Sequence, residues 1–212
     1  MRKGELPAQL VDDRYRFNRI ELPEWAAQHK MPVSPEILEE PGLLPRQATP
    51  LAEAIRAGGI HRDLPASDKE GLLRAMVDRL PMGHGLDREF LFRMVLAREH
   101  LGSTALGNGI AIPHPRNPIV LRVGAPAVAV CYLAAPVDFH ALDGKPVHTL
   151  FTVVSPSVRV HLHLLAVLAT ALHDPAFLAA VSRRAGAAEL ISQLDRIESG
   201  VAARSAAKED PA

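Results

Sequence analysis

Three short apolar runs constrain the architecture more than anything else in the chain. Gly109–Pro113, Ala127–Leu133 and Val147–Val154 are apolar and bounded by Gly or Pro. Such runs read as strands. Helical patterns flank them. Leu72, Leu73, Met76, Val77 and Leu80 repeat at helical spacing, with Ser67 as N-cap and Glu70 three positions later, which is a capping box. Asp87 is placed to cap a second helix with Phe90, Leu91, Met94 and Val95 on its apolar face. A long helix is expected from Val158 to about Leu172, and shorter ones over Pro175–Ser182 and Ala187–Ile197. Helices on both sides of a few buried strands predict an α/β sandwich (α+β in content).

Composition narrows the class of protein. Of the 212 residues, 48% are apolar and 23% charged, enough to bury a core. Lys plus Arg equals Asp plus Glu, 24 against 24, which argues against a basic nucleic-acid coat over the whole chain. One cysteine, Cys131, excludes an internal disulfide framework and a cysteine-only zinc site. Its apolar neighbours predict a buried, inert thiol. No run approaches the roughly 20 apolar residues of a membrane span, so no membrane insertion is expected. The N-terminus, Met1-Arg2-Lys3-Gly4-Glu5, lacks the pattern of a signal peptide, and a cytoplasmic protein is expected.

Four zones follow from the patterning. Residues 1–30 carry Trp25 and many charges. Residues 31–49, with Pro32, Pro35, Pro41 and Pro45, read as a linker because proline at that density breaks helices and central strands. Residues 50–198 form the regular domain. Residues 199–212 are small and charged and are expected to fray.

Two histidines stand out. His114 follows Gly102-Ser103-Thr104-Ala105-Leu106-Gly107-Asn108-Gly109 and a short strand, and lies between Pro113 and Pro115. Glycine-rich backbone with hydroxyls can supply donors to an anion, and flanking prolines stiffen the presentation of the imidazole. Beside an arginine, such a histidine suits phosphoryl transfer, where catalysis is mostly positioning and charge stabilisation. The alternative is a glycine-rich turn with a surface histidine. His161 shares a helix face with Leu164, Leu165 and Leu168, while His163 lies about 200° round, so the pair is poorly placed to chelate one metal. A histidine on an apolar face reads first as a satisfied core residue. His140 and His148 flank Asp143-Gly144, a turn between strands, and neither is assigned a role.

Gly102 to His114, Asp138 to Val147 and His161-Leu162-His163-Leu164-Leu165 together resemble the enzyme IIA component of the phosphoenolpyruvate-dependent sugar phosphotransferase system. The likeness is to its mannitol/fructose type, in the nitrogen-regulatory branch, over about Pro50 to Ile197. The resemblance implies a mixed β-sheet sandwiched by helices on both faces. It implies that His114 accepts a phosphoryl group through Nε2 from the histidine phosphocarrier protein. It makes His161 the second active-site histidine and Arg98 a phosphoryl-holding arginine, with Ser103, Thr104 and Asn108 in the adjoining polar loop. An enzyme IIB or a regulatory protein would be the onward target, and no cofactor or metal is implied. The sequence departs from the family at Pro115, where glycine is usual; proline removes one backbone N–H and bars positive φ.

Gly4 to Ala8 and Tyr15 to Trp25 resemble the end of an excisionase or MerR-like winged helix-turn-helix, a wing hairpin and the helix after it. The rest of that module would precede residue 1, so DNA binding is expected only from a fuller N-terminal module. Two alternatives to a phosphocarrier follow: a transcription regulator whose IIA-like domain is a sensor, or an inactive IIA-like binding domain.

Overall fold

The structure is a computed structural model. It describes residues 8–11, 14–17, 22, 25–26, 29, 31, 49–65, 68–81, 87–116 and 123–209, with backbone alone for 8–11, 14–17 and 201–209. Most of the proline-rich stretch, the Ser67 position and residues 210–212 lie outside the described residues.

In chain order the elements are β1 (Ala8–Val11), β2 (Arg14–Phe17), α1 (Leu51–Gly58), β3 (Ile60–Leu64), α2 (Lys69–Arg79), α3 (Arg88–Leu101) and β4 (Ala105–Gly107). They continue with β5 (Ile110–Ala111), β6 (Ala127–Val137), β7 (Val147–Val154), α4 (Val158–His173), α5 (Pro175–Ser182) and α6 (Ala187–Glu209). β1 and β2 form an antiparallel hairpin in which Ala8 pairs with Phe17. The other strands form one mixed sheet in the order β3-β6-β7-β5-β4. β3 runs parallel to β6 and β5 parallel to β7, while β6 and β7 are antiparallel.

Side chains of a strand alternate between faces, and β6 uses both. Val128, Val130 and Tyr132 join the core formed with Leu51, Ile55, Leu164, Leu168, Phe177 and Leu190. Ala129, Cys131 and Leu133 join the opposite core with Leu72, Leu73, Met76, Leu91 and Val95. The sheet is therefore covered on one face by α1, α4, α5 and α6 and on the other by α2 and α3, the layered arrangement expected. Burial pushes the Cys131 thiol up to about 12, so it is inert at neutral pH.

Several local readings are revised. The α2 cap is Asp68, whose carboxylate accepts the Gly71 amide at 2.7 Å, not Ser67. On α3, Phe92 is buried in place of Phe90, which is 38% exposed. The Arg74 guanidinium lies over the Phe92 ring, 3.9 Å from its centroid. α6 continues to Glu209, beyond Ile197 where the pattern predicts its end. No single helix among the described residues is long and apolar enough to cross a membrane; α4 and α5 qualify only as a pair, and they meet at an 89° bend.

Candidate active site

The parallel pairing of β5 with β7 sets Ala111 beside Leu150, so the chain leaves both strands at the same end of the sheet. Beyond β5 comes Pro113-His114-Pro115. Beyond β7, Ser157 caps α4 by accepting the Val160 amide at 3.2 Å, and His161 lies in the first turns of that helix. The two imidazoles, far apart in sequence, thus meet with centroids 5.0 Å apart and planes tilted by 48°. Both are enclosed: His114 is 1% exposed and His161 0%.

The tautomer of His114 follows from its contacts. Nδ1 lies 2.6 Å from the Ile112 carbonyl oxygen. A carbonyl can only accept, so Nδ1 carries a proton, and in the neutral ring the lone pair is on Nε2. Nε2 is therefore the ring nitrogen with a lone pair to offer when the ring is neutral.

The polar loop is more structured than its composition suggests. Asn108 and Gly109 have φ of 52° and 73°, and β4 and β5 pair on either side of them. Positive φ at both central residues makes a type I′ hairpin turn, for which Asn-Gly is the favoured sequence. The Asn108 amide donates to Asp143 Oδ2 at 2.8 Å, and Asp143 Oδ1 accepts the Lys145 amide at 3.2 Å. Asp143 therefore fastens the hairpin to the β6–β7 connection. The His148 ring packs against Gly109, where a Cβ would come within 2.3 Å of it. Burial lowers the pKa of His148, so the ring is neutral at physiological pH.

Ser103 Oγ accepts the Ala105 amide at 3.2 Å, and Arg98 donates to the Gly102 carbonyl at 3.0 Å, closing the end of α3. Thr104 is buried, and its hydroxyl donates to Glu99 Oε2 at 2.6 Å. His140, exposed with φ of 56°, donates its amide to Asp138, whose pKa that bond lowers. Among the described residues, no group of His, Cys, Asp and Glu could hold a metal ion.

Sequence reasoning overlooked Glu99, Lys69, Asp143 and the packing of His148. One signal was present: Glu99 continues the Leu91, Val95 row at four-residue spacing, an acid on an apolar stripe. Lys69 carried no such signal.

The family model for the phosphoenolpyruvate-dependent sugar phosphotransferase system, EIIA 2, matches residues 53–197. The chain belongs to that family. EIIA 2 domains have a phosphotransfer role, and both histidines fall inside the matched span. The nitrogen regulatory protein of Pseudomonas aeruginosa is 49% identical over 78 residues, 37% of this chain and 49% of the relative. The chain thus spans about half the length of that relative. The crystal structure of nitrogen regulatory protein IIA-Ntr from Neisseria meningitidis superimposes with a TM-score of 0.59 at 30% identity, covering 68% of this chain and 98% of that one. The complex of enzyme IIAMTL with phosphorylated enzyme IIBMTL from Escherichia coli shares the fold, with a TM-score of 0.54 at 22% identity over 66% of this chain and 95% of that one.

Proposed function

We propose that this EIIA 2 domain accepts a phosphoryl group on Nε2 of His114 from a histidine phosphocarrier protein and passes it on or uses it as a regulatory mark in the cytoplasm. The Nδ1–H···O=C bond to Ile112 carries this reading, because it leaves the lone pair on Nε2. In the transfer, that lone pair forms the new N–P bond while the donor's N–P bond breaks and its electron pair returns to the donor imidazole. No proton needs to leave His114. The added group brings roughly two negative charges and three acceptor oxygens. In this reading His161 and Arg98 supply donors to it, and Ser103, Thr104 and Asn108 shape the adjoining loop. Because His114 is 1% exposed, donor and acceptor meet only after a local opening.

The similarity to nitrogen regulatory proteins supports a regulatory output. The Escherichia coli complex pairs a protein of this fold with a phosphorylated enzyme IIB, which makes an enzyme IIB-like protein one class of onward partner. The test is to incubate the chain with phosphoenolpyruvate, enzyme I and the phosphocarrier and to measure intact mass. One acid-labile phosphoryl group is expected, absent in His114→Ala. Labelling that persists in that variant would refute the assignment.

The β1–β2 hairpin favours a second reading, in which residues 1–30 are the end of a winged helix-turn-helix and the domain is a sensor for a transcription regulator. Residues 1–30 are nearly balanced in charge, so this chain alone should give no gel shift. Tight, salt-resistant DNA binding would overturn that view.

A further inference from the structure

Hydrogen bonds connect the core to the acceptor histidine without a gap. Lys69, the first residue of α2, donates from Nζ to Glu99 Oε1 at 3.0 Å and to the Phe139 carbonyl at 3.1 Å. Glu99 Oε2 accepts the Thr104 hydroxyl at 2.6 Å and the Thr104 amide at 3.1 Å. The Thr104 carbonyl accepts the Ile112 amide at 3.1 Å. The Ile112 carbonyl then accepts Nδ1 of His114 at 2.6 Å. The Glu99 side chain is 1% exposed and that of Lys69 23%.

A carboxylate so deeply enclosed carries a large desolvation cost, and well-packed apolar residues would serve stability as well or better. What an apolar pair cannot do is fix the loop's direction. Glu99 takes both donors of one residue, Thr104, which pins that residue's backbone and side chain together; the carbonyl of the same residue, in the next peptide, holds the Ile112 amide. Lys69 ties this to Phe139, at the start of the β6–β7 connection. We infer that Glu99, held by Lys69, is the positioning residue that orients the Nε2 lone pair of His114 through the backbone of Thr104 and Ile112.

The inference rests on the phosphoacceptor reading and refines it in one respect. The Thr104 hydroxyl has one proton, and Glu99 receives it. Thr104 therefore acts through its backbone and has no O–H left to give a phosphoryl oxygen.

The test uses the full chain with two donors: the phosphocarrier system and phosphoramidate, a small phosphoryl donor that needs no docking surface. Rates of His114 phosphorylation are measured against donor concentration, per folded molecule, for Glu99→Gln, Lys69→Arg, Thr104→Val and Thr104→Ser. Misplacement by a fraction of an ångström to an ångström predicts a maximal rate about 10- to 100-fold lower in Glu99→Gln with both donors. The half-saturating concentration should stay within about twofold, since docking is untouched. Thr104→Ser and Lys69→Arg, which keep the donors, should retain most of the rate. Thr104→Val, which removes one donor at nearly constant shape, should lose part of it. Wild-type maximal rates in folded Glu99→Gln, or in Thr104→Val if Glu99→Gln does not fold, overturn the positioning role. If wild-type protein takes no label from either donor, or His114→Ala still does, the phosphoacceptor reading fails and the positioning role falls with it.

Discussion

His114 and His161 face each other at 5.0 Å between ring centroids although one lies beyond the end of a strand and the other in the first turns of a helix. The relationship is a product of sheet topology. β5 contributes only Ile110 and Ala111, yet its parallel pairing with β7 delivers the following Pro-His-Pro to the entrance of α4. His161 is packed on the same helix face as Leu164, Leu165 and Leu168, so its place is set by the core.

That packing gives His161 two separable contributions. His161→Ala should slow phosphoryl uptake or shorten the phosphohistidine half-life without abolishing uptake. It should also cost about 2 kcal/mol of stability, because a fully buried side chain leaves a cavity. Quench-flow labelling and denaturant unfolding read the two effects separately. If the rate and the half-life are both unchanged, His161 is a core residue only.

Pro115 stands where the family resemblance leads one to expect glycine. Pro115→Gly should leave phosphoryl uptake equal or faster while lowering stability by about 0.4–1 kcal/mol through the greater entropy of the unfolded chain. A large loss of uptake would show that the proline itself builds the site.

Burial lowers the pKa of both His148 and His163 from the ordinary 6.5. His148 is hydrogen-bonded to the Asn108 backbone and His163 to the Thr49 backbone. The folded state thus holds fewer protons than the unfolded chain just below pH 6.5. Stability from these groups is complete above 6.5 and is lost as pH falls through the depressed folded values. The urea midpoint should therefore be lower at pH 5.5 than at pH 7.5, and His163→Gln should shrink the difference. Equal midpoints at the two pH values would contradict the assignment.

Gly58 lies where α1 crosses β6. A Cβ there would fall 2.2 Å from the Val128 carbonyl carbon, and backbone cannot rotate away. Gly58→Ala should cost about 3 kcal/mol. Gly124, with nothing within 4 Å of its would-be Cβ, is the control and should tolerate alanine. Similar thermal midpoints for the two variants would argue against this packing.

How much was legible depended on whether the information was local. β7 and α5 occupy the residue ranges expected from sequence, because apolar runs and Pro175 mark their ends. β3 passed unread: as an edge strand it exposes Arg62 and Asp63 and half-buries His61, and no apolar run announces it. β4 is three residues long and gains meaning only through β5. In the site, His114 and His161 were conspicuous as histidines in unusual company. Glu99 was not, since its role depends on Lys69, 30 residues earlier, and on the peptides of Thr104 and Ile112. Asn108-Gly109 read as loop although that pair is a hairpin signal, because the strands flanking it are so short.

The enclosure of His114 has a kinetic consequence. An imidazole that is 1% exposed cannot be reached by collision alone, so a phosphoryl donor would wait on the protein. As donor concentration rises, labelling should level off at a ceiling that does not exceed the opening frequency, whichever donor is supplied. In the proposed function, the same enclosure would shield the finished N–P bond from water. The phosphorylated state would then outlast the encounter that made it, and the domain would keep time by its own breathing rather than by the abundance of its donor.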